Sequence, residues 1–239
     1  MDLNFENLKD TFKTQMFRNE MAANNLANIN SIGFKRDVMF SKVLESRSGT
    51  VNIVENRTDF SCGSIEQTDN PFDLAISGPG FFVLEGNDGD LYTRNGHFTV
   101  GEDGLLRSQN GLAVLSTNGW IQLSDGQKLY ENITISNNGE INADDLYLGQ
   151  IQIVDFESYN ALRKQGDNVF CLNTDSRQMP IPVEKPLLAQ GKLEQSNVNA
   201  VEEMVNLIEI QRKFESTQRA LQAIDKALDD TVNKLGVTR

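Results

Sequence analysis

The side chain best suited to proton transfer in this sequence is His97, the chain's one histidine, in the strand-like piece HFTV. No serine or cysteine in a recognisable nucleophile motif stands beside it, so the spacing gives no acyl-transfer site. Cys62 and Cys171 are the two cysteines. Their separation matches no metal-binding pattern, and two small, semi-buried thiols are expected. The glycines of ISGPGFF lack the lysine and helix start of a phosphate loop. Acidic residues beside glycines, as in Asp88-Gly89 and Asp103-Gly104, lack the ligand series of a calcium loop and read as turns. Carboxylates abound, but no pair is assigned acid and base roles. The sequence thus predicts no catalytic residue, no metal site, no cofactor and no small-molecule substrate. It reads as a structural protein.

Composition supports this. The 239 residues carry a net charge of −12. Residues 1–36 hold five basic and four acidic groups and residues 189–239 hold seven and eight, so the excess lies in the middle, ten basic against twenty-two acidic. An acidic middle argues against binding a phosphate backbone, and no nucleic-acid partner is expected. No run approaches the length of a membrane span. The opening MDLNFENLKD has no basic start, apolar run or cleavage site, so a cleaved signal peptide is not expected.

All five prolines and fifteen of eighteen glycines fall in the middle, so two helix-compatible ends bracket a turn-rich centre. Near the C-terminus Leu207, Phe214, Leu221, Leu228 and Leu235 recur every seven residues, with Ile210, Thr217, Ile224 and Thr231 three places after the first four. This is an a/d seam, which predicts a coiled-coil helix from about Val201 to Leu235, roughly 50 Å long. Val201, Val205 and Ile208 add a second apolar stripe, implying more than one neighbour. The N-terminal ladders, Phe5, Phe12, Asn19, Leu26 and Leu8, Gln15, Ala22, Ile29, are weaker and place amides in the seam. Asn24, Asn25, Asn28 and Asn30 crowd the end of this helix, although asparagine is a weak helix former. They are expected either to bond other chains or to mark ordinary fraying before Gly33.

From Gly78 onward, Asp88-Gly89, Asn95-Gly96, Asp103-Gly104, Asn110-Gly111, Asn118-Gly119, Asp125-Gly126 and Asn138-Gly139 separate short apolar pieces. Such pairs favour hairpin turns, so FFVLE, LYTR, HFTV, LLRS, LAVL and WIQL read as consecutive antiparallel strands, continued by ITIS and LGQIQIVDF. The expected fold is α+β: an N-terminal helical segment (1–36), an extended linker (37–70), a mainly antiparallel β domain (71–188) and a C-terminal helical segment (189–239).

Three ordered blocks then carry a resemblance. ANNLANINSIGFKRD, QTDNPFDLAISGPGFFVL with YTRNGHFTVGEDGLLRSQNGLAVL, and QGKLEQSNVNAVEEMVNLIEIQRKFESTQRALQ are similar to the signature segments of the axial proteins of the bacterial flagellum. The short middle and VLSTNGWIQL look most like the proximal-rod members, ahead of the distal-rod and hook members. The opening MDLNFENLKDTFKTQMF departs from the family's usual small-residue start.

The resemblance implies a structural subunit of the basal-body rod, exported through the flagellar export apparatus without cleavage. It would stack with its own copies and with other rod and hook proteins into a torque-transmitting tube across the periplasm. Paired terminal helices would form the inner tube, with the β domain outward. The implied subunit interface comprises Leu8, Phe12, Asn24, Asn25, Leu26, Asn28, Gly33, Val201, Val205, Leu207, Phe214, Leu221, Ile224 and Leu228. Gly33 would turn the chain from tube to outer layer, and Asn199 with Glu202 would open the return helix as a loose capping box. The competing classes are a periplasmic coiled-coil adaptor and a secreted β-rich enzyme such as a glycosidase. The first would place its two arms adjacent in sequence, and the second would be a stable monomer with a carboxylate-lined cleft.

Overall fold

A computed structural model of the chain describes residues 2–46, 49–124, 128, 130–144, 146–173 and 176–236; the side chains of 2–10, 41–46, 49–54, 225 and 227–236 lie outside that description. The architecture is α+β, with two helices and mainly antiparallel sheets. The chain forms two compact units: one from residues 1–27, 37–57 and 198–239, the other from 28–36 and 58–197. Among the described residues, no helix is long and apolar enough to cross a membrane.

The first unit holds helix α1 (Asp2–Ala27), strands β1 (Asp37–Ser46) and β2 (Gly49–Thr58), and helix α2 (Ala200–Gly236). Where an extended linker was expected, β1 and β2 pair as a two-stranded sheet. Alternation was present to signal this: Val38 and Phe40 in one stretch, Val51 and Ile53 in the other, with Arg47-Ser48-Gly49 between. Helix α2 starts at Ala200, beside the expected start at about Val201 and inside the expected C-terminal segment 189–239. Asn199 is its cap: Oδ1 accepts from the N–H of Val201 (3.1 Å) and of Glu202 (3.4 Å). Glu202 and Glu203 occupy the first turn, where the exposed N–H groups favour negative charge.

The second unit is built around one strand buried on both faces. In Phe81–Gly86, Phe82 and Leu84 enter a large aliphatic core with Leu74, Ile76, Phe98, Leu106, Val114, Ile121 and Ile141. Phe81 and Val83 enter a second, aromatic core with Tyr92, Val154, Phe156 and Phe170. Successive strand residues point to opposite faces, so a run of four apolar residues is what two-sided burial requires. The neighbouring strands obey the same division, with Ile153 and Val169 on the aliphatic side, Val154 and Phe170 on the aromatic. Phe60 completes the aromatic core, its ring centroid 5.5 Å from Phe81 and 5.1 Å from Phe170.

These strands form a six-stranded antiparallel sheet in the order Leu162–Gly166, Val169–Leu172, Gly89–Thr93, Phe81–Gly86, Ile153–Asp155, Ile181–Pro182. The last of these is an edge flanked by Pro180 and containing Pro182. A three-stranded sheet (Ile133–Ile135, Glu140–Ala143, Leu146–Gln150) and several two-stranded ladders cover the aliphatic core. LGQIQIVDF therefore divides after Gln150, its two halves serving different sheets.

Five of the Asx-Gly pairs place glycine at positive φ, as hairpin chemistry requires: Gly89, Gly104, Gly111, Gly119 and Gly139. Asp125-Gly126 lies outside the described residues. Asn95-Gly96 is no hairpin turn. Gly96 O accepts from Leu74 N (3.0 Å), and a Cβ there would run into Leu74 O, so this glycine lets two backbones cross.

Gly33 adopts a left-handed backbone, with φ +66°, and its N–H donates to Glu194 O at 2.8 Å. A Cβ at this position would lie 2.5 Å from Asn95 N. Gly33→Ala is expected to destabilise the β unit by more than the roughly 1–3 kcal/mol that positive φ alone imposes on a non-glycine residue. Urea titration of the variant checks this, and an unchanged midpoint would contradict it.

Candidate assembly surface and its anchor

The first unit is held by contacts between residues far apart in sequence. The rings of Phe12 and Phe214 stack with centroids 4.8 Å apart, and Gln15 Nε2 donates to Thr217 Oγ1 at 3.4 Å. Both pairs stand on the seven-residue ladders, so the seams of α1 and α2 meet within one molecule. Leu207, Ile210, Thr217 and Leu221 are half-buried along α2, while Ile224 remains 44% exposed. An open groove of about 350 Å³ lies between the helices, lined by Met16, Asn19, Glu20, Ile210, Phe214 and Glu215. The second apolar stripe stays largely in solvent: Val201 is 71% exposed, and Met204, Val205 and Ile208 are each 50% exposed. Leu8 and Leu228 fall outside the described side chains.

The asparagines divide by role. Asn25 is buried and joins three elements of its own chain. Its Oδ1 accepts from Asp37 N (2.8 Å), and its Nδ2 donates to Asp37 O (2.8 Å) and to Glu203 Oε1 (3.1 Å). Its amide thus pairs with β1 as a strand would while also reaching α2. Within one molecule its amide is thus engaged by Asp37 and Glu203. Gly33 is likewise buried, against Arg94 and Asn95. Asn28 is half-buried, accepting from Ser31 Oγ (3.0 Å) and, through its carbonyl, from Ser31 N (3.1 Å) in the turn that ends α1. Asn24 is exposed and Leu26 half-buried.

In the second unit, parts of all three sequence blocks converge on a charge cluster that the sequence did not single out. Lys35 Nζ donates to Glu194 Oε1 and to Ser61 O, both at 2.6 Å. Arg94 lies with Nε 3.2 Å from Glu194 Oε2, an ion-pair contact whose alignment falls short of a hydrogen bond. Its Nη1 donates to Gly80 O and its Nη2 to Gly78 O (2.8 Å each), and Nη2 also reaches Cys62 Sγ (3.2 Å). Gly63 N donates to Glu194 Oε1 (2.9 Å). The three charged side chains are 0–3% exposed. The glycines of ISGPGFF therefore present carbonyls to an arginine. Asn197 secures the adjoining segment: its Oδ1 accepts from Arg36 N (2.7 Å), and its Nδ2 donates to Asp59 O (2.8 Å) and Ser61 O (3.1 Å).

His97 serves the fold. Its Nδ1 is 2.7 Å from Asp73 Oδ1, and Asp73 also accepts from Thr68 Oγ1 (2.6 Å) and Asn70 Nδ2 (3.1 Å). This network locks the loop before Leu74–Ile76. Among the described residues, no hydroxyl or thiol bonds the imidazole, and no group of three metal-ligating residues is present. Cys62 and Cys171 are free thiols.

Burial, opposed by the Glu194 charge, holds the Lys35 pKa below the usual lysine value of 10.5. The unfolded chain therefore binds this proton more tightly, and the Lys35 contribution to stability grows as pH rises from the lowered value towards 10.5. Tyr92 and Tyr159 act oppositely: burial raises both to about 12, so their contribution is present below pH 10 and lost on approach to 12. The difference in unfolding free energy between the parent and Lys35→Met should accordingly change with pH below 10, where the tyrosines are protonated in both states. A flat difference would refute the assignment. Glu194→Gln leaves two buried cations without their carboxylate and should cost about 3–5 kcal/mol.

Comparison with known proteins agrees with these features. Residues 189–235 match the family described as flagellar basal body rod FlgEFG protein C-terminal, and residues 75–143 that described as flagellar hook protein FlgE/F/G D1 domain. The flagellar basal-body rod protein FlgF of Caulobacter vibrioides is 33% identical over 227 residues, covering 91% of each chain. FlgG of Buchnera aphidicola subsp. Schizaphis graminum is 28% identical over 251 residues, 92% of this chain and 95% of that one. FlgG of Bacillus subtilis is 29% identical over 259 residues, 93% and 94%. Arg94 and Glu194 fall inside the two matched segments, and the likeness to whole rod proteins runs nearly end to end. The chain belongs to the flagellar basal-body rod protein family.

Proposed function

We propose that this rod subunit polymerises through its terminal helices into the axial drive shaft of the flagellum, in the proximal rod, and makes and breaks no covalent bonds. The observation that carries the reading is the stripe Val201, Met204, Val205 and Ile208, at least half exposed along a helix whose other apolar seam already faces α1. A contiguous apolar stripe on a single molecule marks a surface meant for a neighbour. Copies of the same protein and other rod and hook proteins are the partners, joined through a coiled-coil arrangement of the helices. The subunit reaches its place in the periplasm through the flagellar export apparatus. A distal-rod position is the second reading, supported by FlgG relatives that match over as much of the sequence. Complementation of strains lacking one or the other rod protein separates the two.

Two substitutions test the interface. Ile208→Asp alters a side chain that is half in solvent, so the isolated protein should keep its fold while rods fail to grow. Leu221→Asp puts a carboxylate into the half-buried seam and should also abolish assembly and motility. A fully buried leucine lost in this way costs about 2–5 kcal/mol, and the loss recurs in every subunit. Export and the circular dichroism of the β unit should persist. Gln222→Asp, on an exposed position next to it, is the control for added charge. Motile cells with normal rods carrying Leu221→Asp would overturn the coiled-coil arrangement, and the same result with Ile208→Asp would remove the stripe from the interface.

A further inference from the structure

We propose that Asn118 is a site of spontaneous covalent modification, converting to aspartate and isoaspartate well ahead of the other Asn-Gly pairs. The sequence has four such pairs, at Asn95, Asn110, Asn118 and Asn138. In this reaction the backbone nitrogen of the following glycine, after giving its proton to solvent base, attacks the asparagine Cγ. The bond from Cγ to the amide nitrogen Nδ2 breaks, ammonia leaves, and a five-membered succinimide closes. Water then adds to either ring carbonyl and opens it. One water is consumed and one ammonia released, a carboxylate replaces the amide, and in the isoaspartate product the backbone runs through Cβ. Glycine favours the attack because no Cβ shields its nitrogen and its backbone swings freely. The fold then decides which pair can reach that geometry.

Three pairs are restrained. Asn95 Oδ1 accepts from His97 N (3.0 Å), and Gly96 is buried at the backbone crossing with Leu74. Asn110 Nδ2 reaches Asp167 O (3.4 Å), and Gly111 N donates to Ser108 O (2.9 Å). Gly139 is buried, its N–H donating to Ser136 O (2.9 Å) and its carbonyl accepting from Ile151 N (2.8 Å). Asn118 differs. It occupies the two-residue loop of a hairpin whose ladder is only two pairs long, Ser116 with Gly119 and Leu115 with Trp120. Residues 117–120 are all exposed, and nothing approaches Gly119 within 4 Å of a Cβ position, which is true of Gly111 as well. Asn118 N donates to Ser116 Oγ (3.1 Å), a bond that leaves its side-chain amide out, whereas the Asn110 amide is tied to Asp167 O. The 115–117 side is also bonded to residues 150–152, but the 119–120 side is held by this two-pair ladder and the Trp120 side chain. So short a ladder opens readily, which frees the Gly119 nitrogen.

The product would be visible next door. An extra backbone atom in a two-residue loop breaks the register that holds Trp120, whose Nε1 donates to Glu85 Oε2 at 2.9 Å. Trp120 is the protein's one tryptophan, so its emission reports on this loop alone.

The test is to incubate the full-length protein at mildly alkaline pH in heavy-oxygen water and map peptides by mass over time. Conversion at Asn118 should run several-fold faster than at Asn95, Asn110 and Asn138, with heavy oxygen incorporated and tryptophan emission changing in step. Asn118→Gln should remove both signals. In urea the four rates should converge, because the difference arises from the fold. Equal rates in the native protein, a faster Asn110 or Asn138, or an advantage for Asn118 that persists in urea would each overturn the proposal.

Discussion

Two cations and one carboxylate, taken almost wholly out of water, constrain the rest of this molecule. A buried ion pair returns its desolvation only when geometry and further hydrogen bonds are nearly complete. Lys35, Arg94 and Glu194 meet that condition by drawing in the carbonyls of Ser61, Gly78 and Gly80 and the N–H of Gly63. Every strand that feeds the cluster must therefore end in the right place. Lys35 lies just before the chain leaves for β1, and Glu194 just before it leaves for α2. The segments that precede β1 and α2 are thus fixed within the β unit by electrostatics.

The helical unit is organised by a different compromise. An all-leucine seam would bind more strongly but would not fix one alignment. Here Phe12 and Phe214 supply contact area, while Gln15, Thr217, Asn25 and Glu203 form polar pairs whose partners are specific. Polar groups in an apolar seam lower its strength and raise its selectivity. For an axial subunit, selectivity of register is the more valuable property, since an error in one copy would be inherited by its neighbours.

How much of this was readable depends on the range of the signal. The heptad ladders pointed to Phe12 and Phe214 because spacing along a helix is local information. FFVL announced a buried strand for the same reason, and the Asx-Gly pairs announced most of the hairpins. Asn25 stood out in the sequence but its bonds to the backbone of Asp37 did not, because a backbone group leaves no mark in composition. Lys35, Arg94 and Glu194 sat inside the quoted blocks yet looked like ordinary surface charges, because pairing across so many residues has no signature in a single sequence. Asn95-Gly96 obeyed the turn rule in letters and broke it in space, where the contact with Leu74 required the same small residue for another purpose.

The proline-bearing rim at Ile181–Pro182 has a consequence for life at high density. Proteins that stand shoulder to shoulder are exposed to runaway association, and an uncovered sheet margin is the usual template for it. Proline has no N–H to offer an incoming strand, so with Pro180 and Pro182 in the row the margin lacks donors where a stranger would seek them. At this edge of the six-stranded sheet, two prolines make the β unit a poor seed for amyloid-like stacking.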